Sequence, residues 1–311
     1  MEKGKNSILE KGKKRAAVEN AAQVIFAACA AFSVLIVAAV TLYMIVSGTP
    51  AIFRVGLKEI LFGTVWDPAA ARPRYGIFFI LLTSLAGTSL AVLIGVPVGV
   101  LTAVFLAEVA DARLAALVRP AVELLAGIPS VIYGLLGVRL LNPLLYRLEL
   151  RLFAGSATHQ FTGGSNLLAA SLVLAVMILP TVVSVSETAL RAVPPGVRAA
   201  SLALGASRVQ TVFRSVLPAA RPGIVTAVVL GVGRALGEAM AVTLVSGNSV
   251  HLPLPFSSVR FLTAAIVSEM GYSEGLHRQM LFTVGLVLFG FIMAINFVLH
   301  KMMKEGIRAD E

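Results

Sequence analysis

The stretch GVGRALGEAMAV, Gly231 to Val242, sets an arginine and a glutamate inside a run that otherwise reads as lipid-soluble. An arginine at mid-bilayer on a lipid-facing surface costs about 2.5–3.5 kcal/mol even on the lenient insertion scale. Arg234 lies beyond Pro222 by about 18 Å of helix, too deep for its stem to lift the charge to the interface. The charge must therefore face protein or a water-filled path. Arg234 and Glu238 stand at i and i+4, so one reading is a local ion pair, although acid before base is the better order along a helix and here the base comes first. The other reading makes both line a transport path. If a cargo were an oxyanion, a guanidinium fork would match two of its oxygens at once, and Glu238 would partly neutralise the fork so that such a cargo is not trapped. These residues leave both readings open.

Composition sets the environment of that stretch. Of 311 residues, 58% are hydrophobic and 14% charged, against roughly 45–50% and about 25% in a soluble domain. A polytopic membrane protein follows. The net charge of +10 is dispersed between apolar runs, so no basic face of domain size is available for nucleic acid. The one cysteine, Cys29, allows no intrachain disulfide or thiolate cluster. The four histidines, His159, His251, His277 and His300, lie far apart with no ligand spacing, so metal chemistry is unsupported.

Six apolar spans are expected, giving an all-α fold: Ala21–Val46, Gly76–Ala107, Ala121–Gly137, Leu167–Val185, Gly223–Val245 and Met280–Leu299. The first is too long for a cleaved signal peptide and reads as a retained anchor. In the second, Pro97 is the expected bend. Glu123 opens the third as a carboxylate at the rim, and Gly127-Ile128-Pro129 interrupts it. With both termini inside, the cytoplasmic pieces carry sixteen Lys and Arg and the external pieces nine, over a greater length, which favours that orientation. The chain then divides into a basic cytoplasmic segment (1–20), a first transmembrane helix (21–46), an extracytoplasmic loop (47–75), a transmembrane domain (76–300) whose main cytoplasmic loop is 186–222, and a cytoplasmic tail (301–311). The loops are too short to fold as domains of their own.

The cytoplasmic loop reads VPPGVRAASLALGASRVQTVFRSVLPAARPGI, Val193 to Ile224. Pro194 and Pro195 end the fourth span. Ala199–Leu204 is a short helix, Gly205 a turn, and Val209, Val212, Phe213 and Val216 form an apolar stripe at i, i+3, i+4, i+7 of a second helix. Pro218 and Pro222 punctuate the approach to span five. Such a helix–turn–helix serves either as a ridge for a partner's groove or as an interfacial element on lipid headgroups.

The pattern Ala199-Ala200-Ser201, three residues, Gly205, nine residues, Ser215-Val216-Leu217-Pro218 resembles the EAA loop of ABC importer permeases in full spacing, and in identity at Ala200, Gly205, Leu217 and Pro218. Ala199 stands where that family has its glutamate, Ser201 replaces the second alanine and Ser215 an isoleucine. ELLAGIPSVIYGLLG, RALGEAMAVTLVSGN, LIGVPVGVLTAVFLAE and WDPAAARPRYGIFFILLTSL are similar to the phosphate-system permeases of the PstC type, with the PstA type as close kin. The resemblance implies a type I importer permease bundle (MetI-like). It implies a coupling loop in which Arg198, Ala199, Ala200, Ser201, Leu204, Gly205, Leu217 and Pro218 meet an ATPase, and a transport role for Arg234 and Glu238. The implied partners are a PstA-like permease, a PstB-like ATPase dimer and a PstS-like phosphate-binding protein in a bacterial cell membrane. ATP and magnesium would sit on the ATPase, with no cofactor in this chain.

Three classes then compete. A transport subunit without enzymatic activity leads, moving phosphate or another oxyanion such as sulfate, molybdate or tungstate by alternating access. No GxxxxGK[ST] loop occurs, so ATP hydrolysis is expected on a separate chain. An intramembrane enzyme would need a nucleophile with a base, and Thr243 and Ser246 have none at helical spacing. An ion-coupled secondary transporter would show an internal hydropathy repeat.

Overall fold

The computed structural model describes residues 2–308, with side chains described for residues 19–298 and Lys301. The chain opens on α1, Glu2–Val55, which runs unbroken past Pro50. The expected limits at 20 and 46 mark changes of composition and leave the helix intact. Phe32, Leu35 and Leu42 are exposed on it, as lipid-facing residues are. Its far end packs on the last helix, where Thr283 donates its hydroxyl to the Gly48 carbonyl at 2.8 Å and Tyr43 meets Phe282 edge to face.

Outside the membrane follow α2, Leu57–Phe62, and a two-residue antiparallel ladder of β1, Trp66–Asp67, with β2, Arg74–Tyr75. The second span is α3, Phe78–Val104, which continues across Pro97 and ends in a π-helical turn, Phe105–Val109. Next comes α4, Ala112–Gly127, capped by the Asp111 carboxylate accepting from the Leu114 amide at 2.8 Å. The third span is α5, Ser130–Leu136, a π turn, Gly137–Leu141, and α6, Asn142–Leu152. The fourth is α7, Leu167–Ala192, capped by Asn166.

The cytoplasmic loop forms α8, Pro195–Ala203, then α9, Arg208–Thr211, a π turn, Val212–Val216, and α10, Leu217–Ala219. The chain bends by 68° into α11, Arg221–Gly237. After a break, α12 covers Met240–Val245. An external segment containing α13, Leu262–Glu269, leads to α14, Gly275–Arg308. Five helices or helix pairs are long and apolar enough to cross a membrane unaided. A sixth is reached when the bent pair Arg208–Ala219 and Arg221–Gly237 is taken as one span, so five or six spans stand against the six expected.

Span three lies elsewhere than its sequence suggests. Ala121–Gly137 was the expected run, but Gly127-Ile128-Pro129 divides it, and the span is Ser130–Leu152. Ile128 is extended (φ −71°, ψ 126°) ahead of Pro129, as a residue before proline prefers. The true span hides behind Arg139, Arg147, Glu149 and Arg151, which lower its apparent hydropathy. Glu123 belongs to the preceding helix on the cytoplasmic rim.

The centre of the bundle is α7 against α3. On α3, Gly87, Ala91, Gly95, Gly99 and Ala103 recur every fourth residue and are all buried. A Cβ at Gly95 would stand 2.9 Å from the Ala175 carbonyl oxygen, and one at Gly99 would stand 2.7 Å from Val182 Cγ1. Small residues let two membrane helices touch backbone to backbone, where dispersion contacts are densest. Leu174, Ile178 and Val182 of α7 fill the seam and are fully buried.

Candidate functional site

Arg234 sits in the last turn of α11, part-exposed, and points one terminal nitrogen at Thr181 Oγ1 of α7, 3.4 Å away. No other hydrogen bond or ion pair is made by Arg234 among the described residues. A guanidinium has five N–H donors, so most of its capacity is free. Glu238 is where the helix stops: its backbone is extended (φ −73°, ψ 126°). Its carboxylate accepts from the Ala241 amide at 3.0 Å, satisfying one of the open N–H groups of α12. Its carbonyl accepts from the Thr263 hydroxyl at 2.6 Å.

The local ion-pair reading is therefore corrected. The i, i+4 spacing loses its meaning because the helix unwinds between Gly237 and Met240, and no ion pair joins Arg234 to Glu238 among the described residues. Unwound backbone at membrane depth is tolerated only where protein buries it or water reaches it. The under-partnered arginine and the helix break lie within one turn of each other. Thr181 and Thr263 escaped the sequence reading. Their signal was a hydroxyl in or beside a long apolar run, too common a feature to single them out.

The cytoplasmic loop folds largely as its residues dictate. Gly205 takes φ +86°, a left-handed turn that a Cβ would strain. Ser207 and Gln210 form a capping box at the start of α9. Arg198 is the anchor. Its Nε and one terminal nitrogen grip the Glu108 carboxylate at the end of span two, and its terminal nitrogens also donate to the carbonyls of Val193 and Leu190 at 2.7 and 2.9 Å. Glu108 holds the guanidinium above its ordinary pKa, more than burial lowers it. An acid from span two thus locks the loop internally, beside the position where Ala199 stands in place of a glutamate.

Around this anchor Ala199, Ala200, Leu204 (90% exposed), Gly205 and Pro218 are open. Ser201 is half-buried and shares a hydrogen bond with Thr211 at 3.0 Å. Leu217 packs against the inner cluster of Ala103, Leu190 and Val216. The expected apolar stripe is split. Val212 and Val216 are buried, whereas Val209 and Phe213 are exposed. The π turn through 212–216 contributes, since its wider winding separates faces that an α-helix would align. A groove of about 580 Å³ lies between the two short helices, bordered by Val197, Ala200, Leu204 and Gln210.

On the external side two carboxylates are buried. Glu269 accepts from both Trp66 Nε1 (3.0 Å to the nearer oxygen) and Arg260, and shares a hydrogen bond with His277 at 2.8 Å. Glu149 accepts from the Thr162 amide and hydroxyl, each at 3.0 Å, and meets His159 Nε2 at 2.8 Å. No group of three or more His, Cys, Asp or Glu side chains poised for a metal occurs among the described residues.

Comparison with known proteins fits this architecture. Residues 95–308 match the family described as binding-protein-dependent transport system inner membrane component. The chain is 38% identical over 282 residues to the probable ABC transporter permease protein YqgH of Bacillus subtilis, covering 89% of this chain and 87% of that one. It is 34% identical to the phosphate transport system permease protein PstC of Haemophilus influenzae, over 86% and 87% of the two chains. Among solved structures, an inward-facing form of the MetNI methionine ABC transporter superimposes with a TM-score of 0.54 at 25% identity, over 74% of this chain and 94% of the other.

Proposed function

The chain belongs to the family of binding-protein-dependent transport system inner membrane components, and from that premise we propose that it is the PstC-type permease subunit of an ATP-driven phosphate importer. It is a multi-pass protein of the bacterial cell membrane. The observation that carries the cargo side of the proposal is Arg234. It lies deep in an interrupted span and spends one long hydrogen bond on Thr181. A planar fork of free donors suits a tetrahedral oxyanion. Glu238, turned away to cap α12, leaves that fork open while its charge nearby limits how tightly an anion is held.

Energy enters at the opposite end. The exposed apolar residues Leu204, Val209 and Phe213, with Ala199 and Ala200, form a ridge on a loop anchored by Arg198. A separate ATPase dimer of the PstB type would seat on this ridge, and its closure would drive α8 against the bundle and alternate the access of the path. A PstA-like permease completes the pair, and a PstS-like protein delivers phosphate from outside. ATP and magnesium belong to the ATPase. The PstC assignment over the PstA type draws on the relatives that carry the first name over most of their length.

The test is uptake of inorganic phosphate by the assembled complex in proteoliposomes containing ATP. Arg234→Ala abolishes uptake while the ATPase still co-purifies. Uptake that persists in a correctly assembled variant removes Arg234 from the path. Preference for sulfate or molybdate in competition would reassign the cargo.

A further inference from the structure

Below Thr181, α7 carries hydroxyls on the same side at Ser184 and Thr188, the i, i+3 and i+7 positions of one helix face, and both are exposed within this chain. In an otherwise apolar span this is a continuous polar track of about 10 Å that starts at the partner of Arg234. It ends at a cavity of about 340 Å³ between α4, α7 and the end of span two. Buried Glu187 organises the cavity. One of its oxygens accepts from Arg119 Nε at 2.8 Å and from Arg191 Nε at 2.9 Å. Arg191 gives one terminal nitrogen to the Leu106 carbonyl at 2.9 Å. Both terminal nitrogens of Arg119 and one of Arg191 are thereby left without a protein acceptor among the described residues. The Thr188 hydroxyl donates to the Ser184 carbonyl, and the Ser184 hydroxyl makes no hydrogen bond among the described residues.

We propose that this cavity is an exit station for the transported anion, a site for a phosphate group that takes it from Arg234 along the hydroxyls of α7 and releases it to the cytoplasm. The inference rests on the phosphate-importer reading and places a second site on the same path. Two guanidinium groups fixed through Nε onto one carboxylate present their terminal donors in a set geometry, which a mobile lysine would not do. Glu187, with Glu123 at the exposed mouth, offsets their charge. An exit site must bind weakly enough to let go. A phospholipid headgroup at the inner leaflet has the same chemistry, so the test separates the two sources.

The experiment uses the full complex in proteoliposomes whose interior corresponds to the cytoplasm, with internal ATP and graded amounts of internal inorganic phosphate. Internal phosphate should slow import by occupying the exit station. Losing a charge-assisted donor pair raises the half-inhibiting concentration about tenfold in Arg119→Gln, and Arg119→Lys falls between it and the wild type. Ser184→Ala, which leaves the arginines in place, raises it about threefold. Co-purification of the ATPase shows that each variant has assembled. An inhibition curve that Arg119→Gln and Ser184→Ala leave unmoved overturns the exit station while the importer reading stands. A wild-type complex that imports phosphate with no response to the internal anion overturns it too. If the variants differ from wild type only in vesicles containing phosphatidylglycerol, and not in phosphatidylcholine alone, the cavity holds a headgroup and the proposal falls. A wild-type complex that moves no phosphate at all removes both the importer reading and the station built on it.

Discussion

The loops around Glu269 and Glu149 and the interrupted helix α11 treat charge in opposite ways. Glu269 is held by Trp66, Arg260 and His277, and Glu149 by His159 and the amide and hydroxyl of Thr162, so three partner groups surround each carboxylate. In α11, Arg234 makes a single long hydrogen bond among the described residues. The first arrangement ties distant segments together: Trp66 precedes span two, and Glu269 lies 203 residues later. The second leaves donors unspent at the depth where leaving them so is most costly. A fully partnered buried charge is a fastening, whereas an under-partnered one is waiting for something that arrives. The same contrast separates Arg198, with its carboxylate and two carbonyls, from Arg119, which spends one nitrogen of three.

Substitutions can break this contrast or sharpen it. The largest stability effect is expected at Glu269→Ala, which leaves Arg260 buried without its counter-ion. Breaking a buried pair from one side costs about 3–5 kcal/mol, so thermal unfolding of the purified complex should begin markedly earlier, while the surviving folded fraction transports normally. Arg234→Lys reverses the pattern. Charge persists but the fork is lost, and uptake should fall about tenfold or more with the unfolding temperature unchanged. Equal losses of stability in both variants would erase the distinction. Gly95→Ala tests the seam between α3 and α7. Its added methyl meets the Ala175 carbonyl oxygen and Ile178 at 2.9 Å, and overpacking of this kind costs about 1–3 kcal/mol. The smallest effect belongs to Thr181→Val. Membrane hydrogen bonds average about 0.6 kcal/mol in double-mutant cycles, so uptake should drop roughly threefold, and the double variant with Arg234→Ala should add nothing further.

Sequence reading was enough for the all-α, multi-span character, the break at Pro194-Pro195 and the left-handed turn at Gly205, because these follow from local rules of length and sterics. It failed where tertiary contacts decide. LGEAMA consists of residues that mostly favour helix, so nothing local announces that α11 stops at Gly237; Thr263, which fixes the Glu238 carbonyl, comes from α13. Arg139, Arg147 and Arg151 disguised span three. The partner of Arg198 was Glu108, visible as the acid closing VFLAE, but only the fold brings the two together. Arg119, Glu187 and Arg191 were equally unreadable, since their meeting joins α4 to α7 across 68 residues.

The small-residue seam has one more consequence. Helices that meet backbone to backbone have little soft side-chain material between them, so α3 and α7 form a stiff strut. Arg198 rivets α8 to both helices at one end of the strut, through Glu108 just past α3 and the Leu190 and Val193 carbonyls at the end of α7. A shove delivered to α8 is therefore expected to pass along the strut with little slack and to move Thr181 against Arg234 in the same stroke.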